Sequence, residues 1–132
     1  MGNHAVANKE IVLAFVDAWD RTAWDEVASY LAEDVAYHNI PWEPVNGRDK
    51  VMSNLAAFGV QESYWKVHHI IAEGDLVMTE RTDYSRNADR GGKWCRLRVM
   101  GIFRIHDGLI TEWRDYFDSR EFDEDFDAPV RD

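Results

Sequence analysis

Asp115 lies near the C-terminal end of the chain, in a segment whose alternation predicts that its side chain is buried. Residues 109–118 are typical of a β-strand, in which successive side chains point to opposite faces of the sheet. A buried carboxylate is costly unless it is paired or hydrogen-bonded, so we expect Asp115 to have a partner. Taken alone, this strand favours a structural ion pair. Its mainly apolar face carries Leu109, Thr111, Trp113, Asp115 and Phe117.

Candidate partners lie on a second predicted strand, 76–86, where Arg81 and Asp83 are two residues apart and share a face. A guanidinium group binds carboxylates bidentately, so Arg81 could bridge Asp83 and Asp115. The Arg-x-Asp spacing is common, however. On its own it favours the solvated face of an amphipathic strand.

A third pair, Tyr37 and Asn39, shares one face of a short strand predicted over 35–39. A phenol and an amide can hold a water molecule by donating and accepting hydrogen bonds. Alone, the pair favours a half-buried strand with a tyrosine at its edge. The histidines show no metal-ligand spacing, and no phosphate-binding glycine loop or nucleophile elbow is present, so we expect no metal site.

The first half of the chain has a helical pattern. Ile11, Phe15, Ala18 and Trp19 recur on one helical face and predict a first helix. Thr22 is then predicted to be the N-cap of a shorter second helix, because Asp25 follows three residues later. After the strand at 35–39 and a proline-containing break, a third helix is predicted over 49–58.

The second half is rich in β-branched and aromatic residues and predicts four strands, over 64–72, 76–86, 93–106 and 109–118. Turns at 73–75, 91–92 and 107–108 separate them, each containing glycine. Helices followed by an antiparallel meander predict an α+β fold with the helices on one face of the sheet. A curved sheet covered in this way leaves an apolar cup, which is the default ligand site.

Length and charge limit the function further. The 132 residues are expected to form a single domain, 1–132. The formal net charge is −10, which argues against binding to nucleic acid or to an anionic membrane. The N-terminus does not resemble a signal peptide and Cys95 is the only cysteine, so we expect a cytoplasmic location. The acidic segment from about 119 is predicted to be solvated and partly loose.

Three motifs in this order change the interpretation of these residues: Tyr37-His38-Asn39, Glu80-Arg81-Thr82-Asp83 and the string WRDYFD at 113–118. Together they resemble the limonene-1,2-epoxide hydrolase family, within the group of folds typified by nuclear transport factor 2. The likeness runs from the first helix to about residue 122. It implies a curved, mixed, mostly antiparallel sheet, wrapped with three N-terminal helices into a cone-shaped cup.

The resemblance also implies a role for each matching residue. Tyr37, Asn39 and Asp115 would position and activate a water molecule, with Asp115 as the base. Asp83 would protonate the epoxide oxygen, and Arg81 would bridge the two carboxylates. The implied substrate is a small apolar epoxide, and the implied reaction requires no metal or organic cofactor. A homodimer is expected, with apolar residues such as Ile110 and Tyr116 on the outer face of the sheet.

Two other interpretations stay open at this stage. The same cup could serve a dehydratase or isomerase that moves protons on an apolar cyclic substrate without adding water. It could also belong to a non-enzymatic protein that binds an apolar ligand. Two buried acids and an arginine would be costly in a simple apolar pocket, which disfavours the binding protein. Residues around the cup, for instance Trp42, leave the identity of the substrate open.

Overall fold

The structure is a computed structural model that describes residues 2–131. Met1 and Asp132, which belong to the predicted domain, lie outside the described residues. Within this range the chain forms helices α1 (Gly2–Asp20), α2 (Trp24–Ser29) and α3 (Arg48–Phe58). The strands are β1 (Leu31–Asn39), β2 (Val45–Asn46), β3 (Val60–Glu73), β4 (Leu76–Asn87), β5 (Lys93–His106) and β6 (Leu109–Tyr116).

The six strands form one sheet in the order β2-β1-β6-β5-β4-β3. Every neighbouring pair is antiparallel except β1 and β6, which run parallel. The predicted α+β class with a mixed, mostly antiparallel sheet is therefore confirmed. None of the helices in residues 2–131 is long and apolar enough to cross a membrane.

The core lies between α1 and the inner face of the sheet. Phe15 on α1 is fully buried and packs edge-on against Trp113 of β6, with ring centroids 5.2 Å apart. Trp19, one turn further along α1, contacts Trp65 of β3 at 4.7 Å. Aromatic pairs of this kind add to the stabilisation that burial itself provides. The predicted apolar face of the first helix is thus confirmed.

The prediction that Thr22 caps α2 is wrong. The N-cap of α2 is Ala23, and Thr22 has a left-handed backbone with φ +53°. The amide of Thr22 donates to the carbonyl of Trp19, and that of Ala23 donates to the carbonyl of Ala18. This is the Schellman arrangement that ends a helix. Thr22 therefore belongs to the C-terminal end of α1 and not to the N-terminal end of α2.

The prediction that Ile110 lies on the outer face of the sheet is also wrong. Arg104 pairs with Glu112 whereas Ile105 pairs with Ile110, so Thr111 is an extra residue that forms a β-bulge in β6. The bulge inverts the alternation before it. Ile110 is consequently 0% exposed and Leu109 is 37% exposed, the reverse of the simple alternation.

Part of the acidic C-terminal segment folds back onto the sheet. Residues Ser119–Asp123 form a short 3-10 helix. The carboxylate of Glu121 accepts hydrogen bonds from the backbone and side chain of Arg98 on β5. Further on, the amide of Phe126 donates to the carbonyl of Trp94. These hydrogen bonds hold part of the acidic segment against β5.

Candidate active site

Four adjacent strands bring the candidate residues into one row across the sheet. Asn39 on β1 is in register with Asp115 on β6, which is in register with Gly101 on β5. Gly101 is in turn in register with Thr79 on β4. Side chains of residues in register point to the same face and lie close together. The row therefore collects polar groups from distant parts of the chain on the inner face of the sheet.

Arg81 occupies the centre of this polar group. On β4, Thr79, Arg81 and Asp83 share a face, as predicted, and alternate with exposed or half-buried residues. This face is buried, whereas the Arg-x-Asp spacing alone favoured a solvated one. The Arg81 guanidinium donates to both oxygens of Asp83, from Nε at 3.0 Å and from Nη2 at 2.8 Å. It also donates to both oxygens of Asp115, from Nη1 at 3.3 Å and from Nη2 at 3.1 Å. Arg81 thus bridges the two carboxylates.

This bridge is enclosed by protein. Arg81 is 1% exposed, Asp115 4% and Asp83 9%. The guanidinium also lies 4.4 Å from the ring centroid of Trp65, a cation–π contact, and its Nη1 donates to Thr79 Oγ1 at 2.9 Å. A charged group removed from water needs such contacts to offset its lost hydration.

The pKa values in the bridge follow from burial and charge. Burial, together with the neighbouring Asp115 carboxylate, raises the pKa of Asp83 to about 6 against the opposing effect of Arg81. Burial by itself lowers the pKa of Arg81, but the two carboxylates raise it well above its ordinary value. Arg81 therefore stays positively charged, and Asp83 keeps its proton up to a higher pH than an exposed aspartate does.

Tyr37 and Asn39 lie beside Asp115. The Asn39 amide nitrogen donates to the Tyr37 hydroxyl at 2.7 Å. The Tyr37 ring packs on Trp113, with centroids 4.2 Å apart. Burial raises the pKa of Tyr37 above its ordinary value, so the phenol keeps its proton. Because this phenol accepts from Asn39, its own proton remains available to a third group.

These polar residues line one end of a pocket with apolar walls. Tyr37, Asn39, Asp83 and Asp115 form this polar end, and Ser85 and Asn87 add further polar groups to the lining. Trp42, from the loop after β1, packs against Phe122 of the C-terminal 3-10 helix with ring centroids 5.4 Å apart. Trp42 is 43% exposed. The apolar walls come mainly from Trp19, Leu55, Phe58, Leu97, Val99 and Phe117.

The sequence of this chain matches a known protein family. A family described as a SnoaL-like domain matches residues 12–113, which is most of the sequence. The chain belongs to the SnoaL-like family. The epoxide hydrolase EphG of Mycobacterium tuberculosis is 34% identical over 108 residues, covering 81% of this chain and 70% of EphG.

Solved structures agree with this assignment. An LEH-like epoxide hydrolase from M. tuberculosis superposes with a TM-score of 0.79 and 32% identity, covering 89% of this chain and 87% of that one. A protein with a ketosteroid isomerase-like fold from Catenulispora acidiphila gives a TM-score of 0.73 at 19% identity, covering 86% of this chain and 88% of that one. The second likeness concerns the fold alone. The predicted resemblance to the limonene-1,2-epoxide hydrolase group and its cone-shaped fold is confirmed.

Four of the five residues singled out in the sequence of this SnoaL-like domain line one end of the pocket, and the fifth, Arg81, bridges the two carboxylates among them. The sequence reasoning missed two groups that hold this arrangement. Gly101 lies beneath the guanidinium, and a Cβ there would clash with Arg81 Nη1 and lie 2.6 Å from Asp115 Oδ1. A glycine inside a predicted strand is a signal of close approach, which could have identified it. Trp113 donates its indole N–H to Asp115 Oδ1 at 3.0 Å.

Within residues 2–131 no group of three or more His, Cys, Asp or Glu side chains is arranged to hold a metal ion. The site itself offers two carboxyl groups, one cation and a phenol–amide pair. Two carboxyl groups held in different environments can act as acid and base in the same step.

Proposed function

We propose that this SnoaL-like protein is an epoxide hydrolase, which adds water to an apolar epoxide and releases a vicinal diol in one step. The observation that carries the proposal is the buried Arg81, which holds Asp83 and Asp115 together at the polar end of an apolar pocket. The identity to EphG and the likeness to an LEH-like epoxide hydrolase support the same reaction.

Asp83 is the general acid in this proposal. Its raised pKa lets it carry a proton near pH 6, and it lines the pocket where an epoxide oxygen would bind. Both of its oxygens already accept from Arg81, so a proton on either one points away from the guanidinium. Donating this proton to the epoxide oxygen avoids the formation of an alkoxide when the ring opens.

Asp115 is the base that activates water. A water molecule can accept from the Tyr37 hydroxyl and donate to the Asn39 carbonyl oxygen and to Asp115. As its oxygen bonds to an epoxide carbon, the ring C–O bond breaks. One water proton passes to Asp115, while the Asp83 proton passes to the former ring oxygen. The proton then returns from Asp115 to Asp83, directly or through solvent, for the next turnover.

The shape and lining of the pocket favour an apolar, cyclic, terpene-like substrate. Bulky aromatic and aliphatic side chains surround the polar end, and they contribute burial without competing hydrogen bonds. The proposed reaction needs neither a metal nor an organic cofactor, since each proton has a donor and an acceptor within the chain. We also propose a single domain and a cytoplasmic location. The latter rests on the lone Cys95, which is free and buried.

The decisive experiment is to incubate the purified protein with a panel of cyclic epoxides and to analyse the products by mass spectrometry. We expect a product heavier than the substrate by one water molecule, with the mass and retention of the diol. Treatment with a chelator should leave the rate unchanged. An Asp115→Asn variant serves as the control for spontaneous hydrolysis. Diol formation that never exceeds this control for any substrate contradicts the proposal.

The same experiment distinguishes the hydrolase from the alternative functions by the mass of the product. The alternative is a dehydratase or isomerase that uses the two aspartates only to move protons on an apolar cyclic substrate. An isomerase would give a product of unchanged mass, and a dehydratase a product lighter by one water molecule. A non-enzymatic binding protein would return the epoxide intact.

A further inference from the structure

We propose that the end of the pocket remote from Asp83 binds a hydroxyl group, so that the preferred substrates are epoxides of apolar alcohols. This inference rests on the proposed hydrolase function and specifies its substrate class. Asn87, the last residue of β4, takes no part in the chemistry described above.

Asn87 carries a buried amide group without a partner. The residue is 5% exposed, and its Oδ1 atom has no hydrogen-bond partner among residues 2–131. Asparagine in this position commonly caps the following helix, but the described contacts include no cap bond from its side chain to the 3-10 helix at Ala88–Arg90. Native proteins rarely leave a buried amide unpaired, so a missing partner points to a ligand.

Asn87 lies on the same strand as Asp83 and lines the same pocket. Asp83, Ser85 and Asn87 lie on the same face of β4, and all three line the pocket. At the rise of an extended strand, four residues separate Asp83 from Asn87 by roughly 13 Å. Phe58, Val60 and Leu97 belong to the apolar lining of the same pocket. The pocket therefore offers acid–base groups at one end, apolar walls, and an unpaired amide at the other end.

A second unpaired atom lies nearby. Next to the pocket is an outer cavity, which shares Trp42, Phe58, Asn87 and Phe122 with it and is also lined by Arg90. Arg90 Nη2 donates to Asp125 at 3.0 Å, but Nη1 is buried without a partner in the described part of the chain. The amide oxygen of Asn87 is an acceptor and Arg90 Nη1 is a donor, so the lining of the outer cavity offers both functions to a group that donates and accepts.

A hydroxyl group has this property, whereas an alkyl group has neither function. A half-turn of the Asn87 amide about its last torsion exchanges the positions of its oxygen and nitrogen, so either can face a ligand. A carboxylate is disfavoured because Asp89 and Asp123 also line the outer cavity. The two arginines in that lining, Arg90 and Arg120, are already paired with Asp125 and Asp118. The expected ligand at this end is thus neutral.

A matched pair of substrates tests the inference. One is 9,10-epoxydecan-1-ol, and the other is 1,2-epoxyundecane, in which a methyl group replaces the hydroxyl. The hydrophobic effect alone would favour the epoxide without the hydroxyl in an apolar pocket. We expect wild-type kcat/KM to favour the alcohol by about tenfold, because the epoxide without the hydroxyl leaves the Asn87 amide unpaired. In an Asn87→Leu variant, which has a similar shape without the amide, the preference should reverse.

Two further variants serve as controls. Ser85→Ala alters a polar residue on the same face whose hydroxyl already contacts Cys95 Sγ at 3.1 Å, so it should keep the wild-type preference. Asn87→Asp retains an acceptor and should still favour the alcohol. Circular dichroism and thermal melting establish that each variant is folded. Equal rates for the two substrates in the wild type, or an unchanged preference in Asn87→Leu, overturn the inference.

Binding measurements keep the test independent of turnover. The two epoxides are titrated into an Asp83→Asn variant with and without Asn87→Leu, and binding is followed by tryptophan fluorescence. A preference for the alcohol that depends on Asn87 supports the hydroxyl site even if no diol ever forms, in which case only the hydrolase proposal fails. Rapid hydrolysis of both substrates without any preference refutes the hydroxyl site and leaves the hydrolase proposal intact.

Discussion

Trp113 donates its indole N–H to Oδ1 of Asp115 across 3.0 Å, from two residues earlier on the same strand. Arg81 donates to both oxygens of this carboxylate, so Oδ1 accepts two hydrogen bonds and Oδ2 accepts one in the described structure. The less occupied Oδ2 is therefore the atom expected to take a proton from water. The indole is itself fixed, since Trp113 is fully buried and stacks on Phe103.

We expect Trp113→Phe to lower kcat by about 10- to 100-fold, the effect of losing one hydrogen bond to a charged group. KM should change little, because Trp113 is not among the residues that line the pocket. Steady-state kinetics on an epoxide that the wild type hydrolyses measures both quantities. Phe15→Leu is the matched control, since it disturbs packing against Trp113 without removing a hydrogen bond. A Trp113→Phe enzyme with wild-type kcat contradicts the orienting role.

Gly101→Ala is expected to abolish most activity while the protein stays folded. The added methyl group would occupy space now used by Arg81 Nη1 and Asp115 Oδ1, so the bridge must shift. Displacement of catalytic groups by about 1 Å can cost on the order of 100-fold in rate. Turnover and the far-ultraviolet circular dichroism spectrum are measured together. Ile102→Val, one residue along β5 on its other face, should keep full activity; equal activity of Gly101→Ala would show that the bridge tolerates displacement.

Asp83→Asn should reduce turnover by roughly 100- to 10,000-fold, because an amide cannot donate a proton as an acid can. In the wild type, kcat/KM should fall as the pH rises through about 6, since burial raises the pKa of Asp83 to that value and the acid form is then lost. Rates on both sides of pH 6 test this. Near wild-type turnover in the variant, or a wild-type rate that does not decline above pH 6, shows that Asp83 is not the acid.

Stability gives an independent readout of the same group. The folded pKa of Asp83 is raised from 3.8 to about 6, so its contribution to stability is fully present below about pH 4 and is lost as the pH rises through 6. Above pH 6 the buried charge should cost about 1–3 kcal/mol. Thermal melting should therefore show a gain in stability from Asp83→Asn that is larger at pH 8 than at pH 4. A difference that is independent of pH argues against an ionised, buried Asp83.

The fate of oxygen in a single turnover distinguishes two routes to the diol. If Asp115 activates water, a turnover with excess enzyme in ¹⁸O-water places the label in the diol and leaves Asp115 unlabelled. If Asp115 attacks the epoxide carbon itself, an ester forms, the first diol carries unlabelled enzyme oxygen, and the label enters the carboxylate. We expect the first result, because Tyr37 and Asn39 can hold a water beside Asp115. Mass spectrometry of the diol and of the peptide containing Asp115 decides between them.

We expect the protein to form a homodimer through the outer face of the sheet. Met100 and Tyr116 are in register there and exposed, and Ile71 and Met78 form a neighbouring exposed pair. Exposed apolar clusters on a sheet are commonly covered by a partner. Sedimentation equilibrium should give about twice the 15.4 kDa chain mass, and Met100→Lys should shift the protein towards monomer. A wild-type protein that sediments only as a 15.4 kDa species refutes the dimer.

The sequence alone determined the local features of the fold. The period of two in the second half placed Thr79, Arg81 and Asp83 on one face of their strand, and the strand predicted over 93–106 matches β5. The third helix was predicted one residue short of its observed start at Arg48. These features depend on backbone geometry and on neighbouring residues. A sequence pattern therefore carries them directly.

Strand register and bulges were decided only by the tertiary structure. The alternation placed Asp115 on a mainly apolar face and Arg81 and Asp83 on one common face, but it did not show that the face of Arg81 is buried. Only the pairing of β4, β5 and β6 brings Gly101 between Arg81 and Asp115 and closes the bridge. The bulge at Thr111 buries Ile110 against the simple alternation. Register and bulges arise from hydrogen bonds between strands distant in sequence and from the fit of side chains in a common core, so no local pattern determines them.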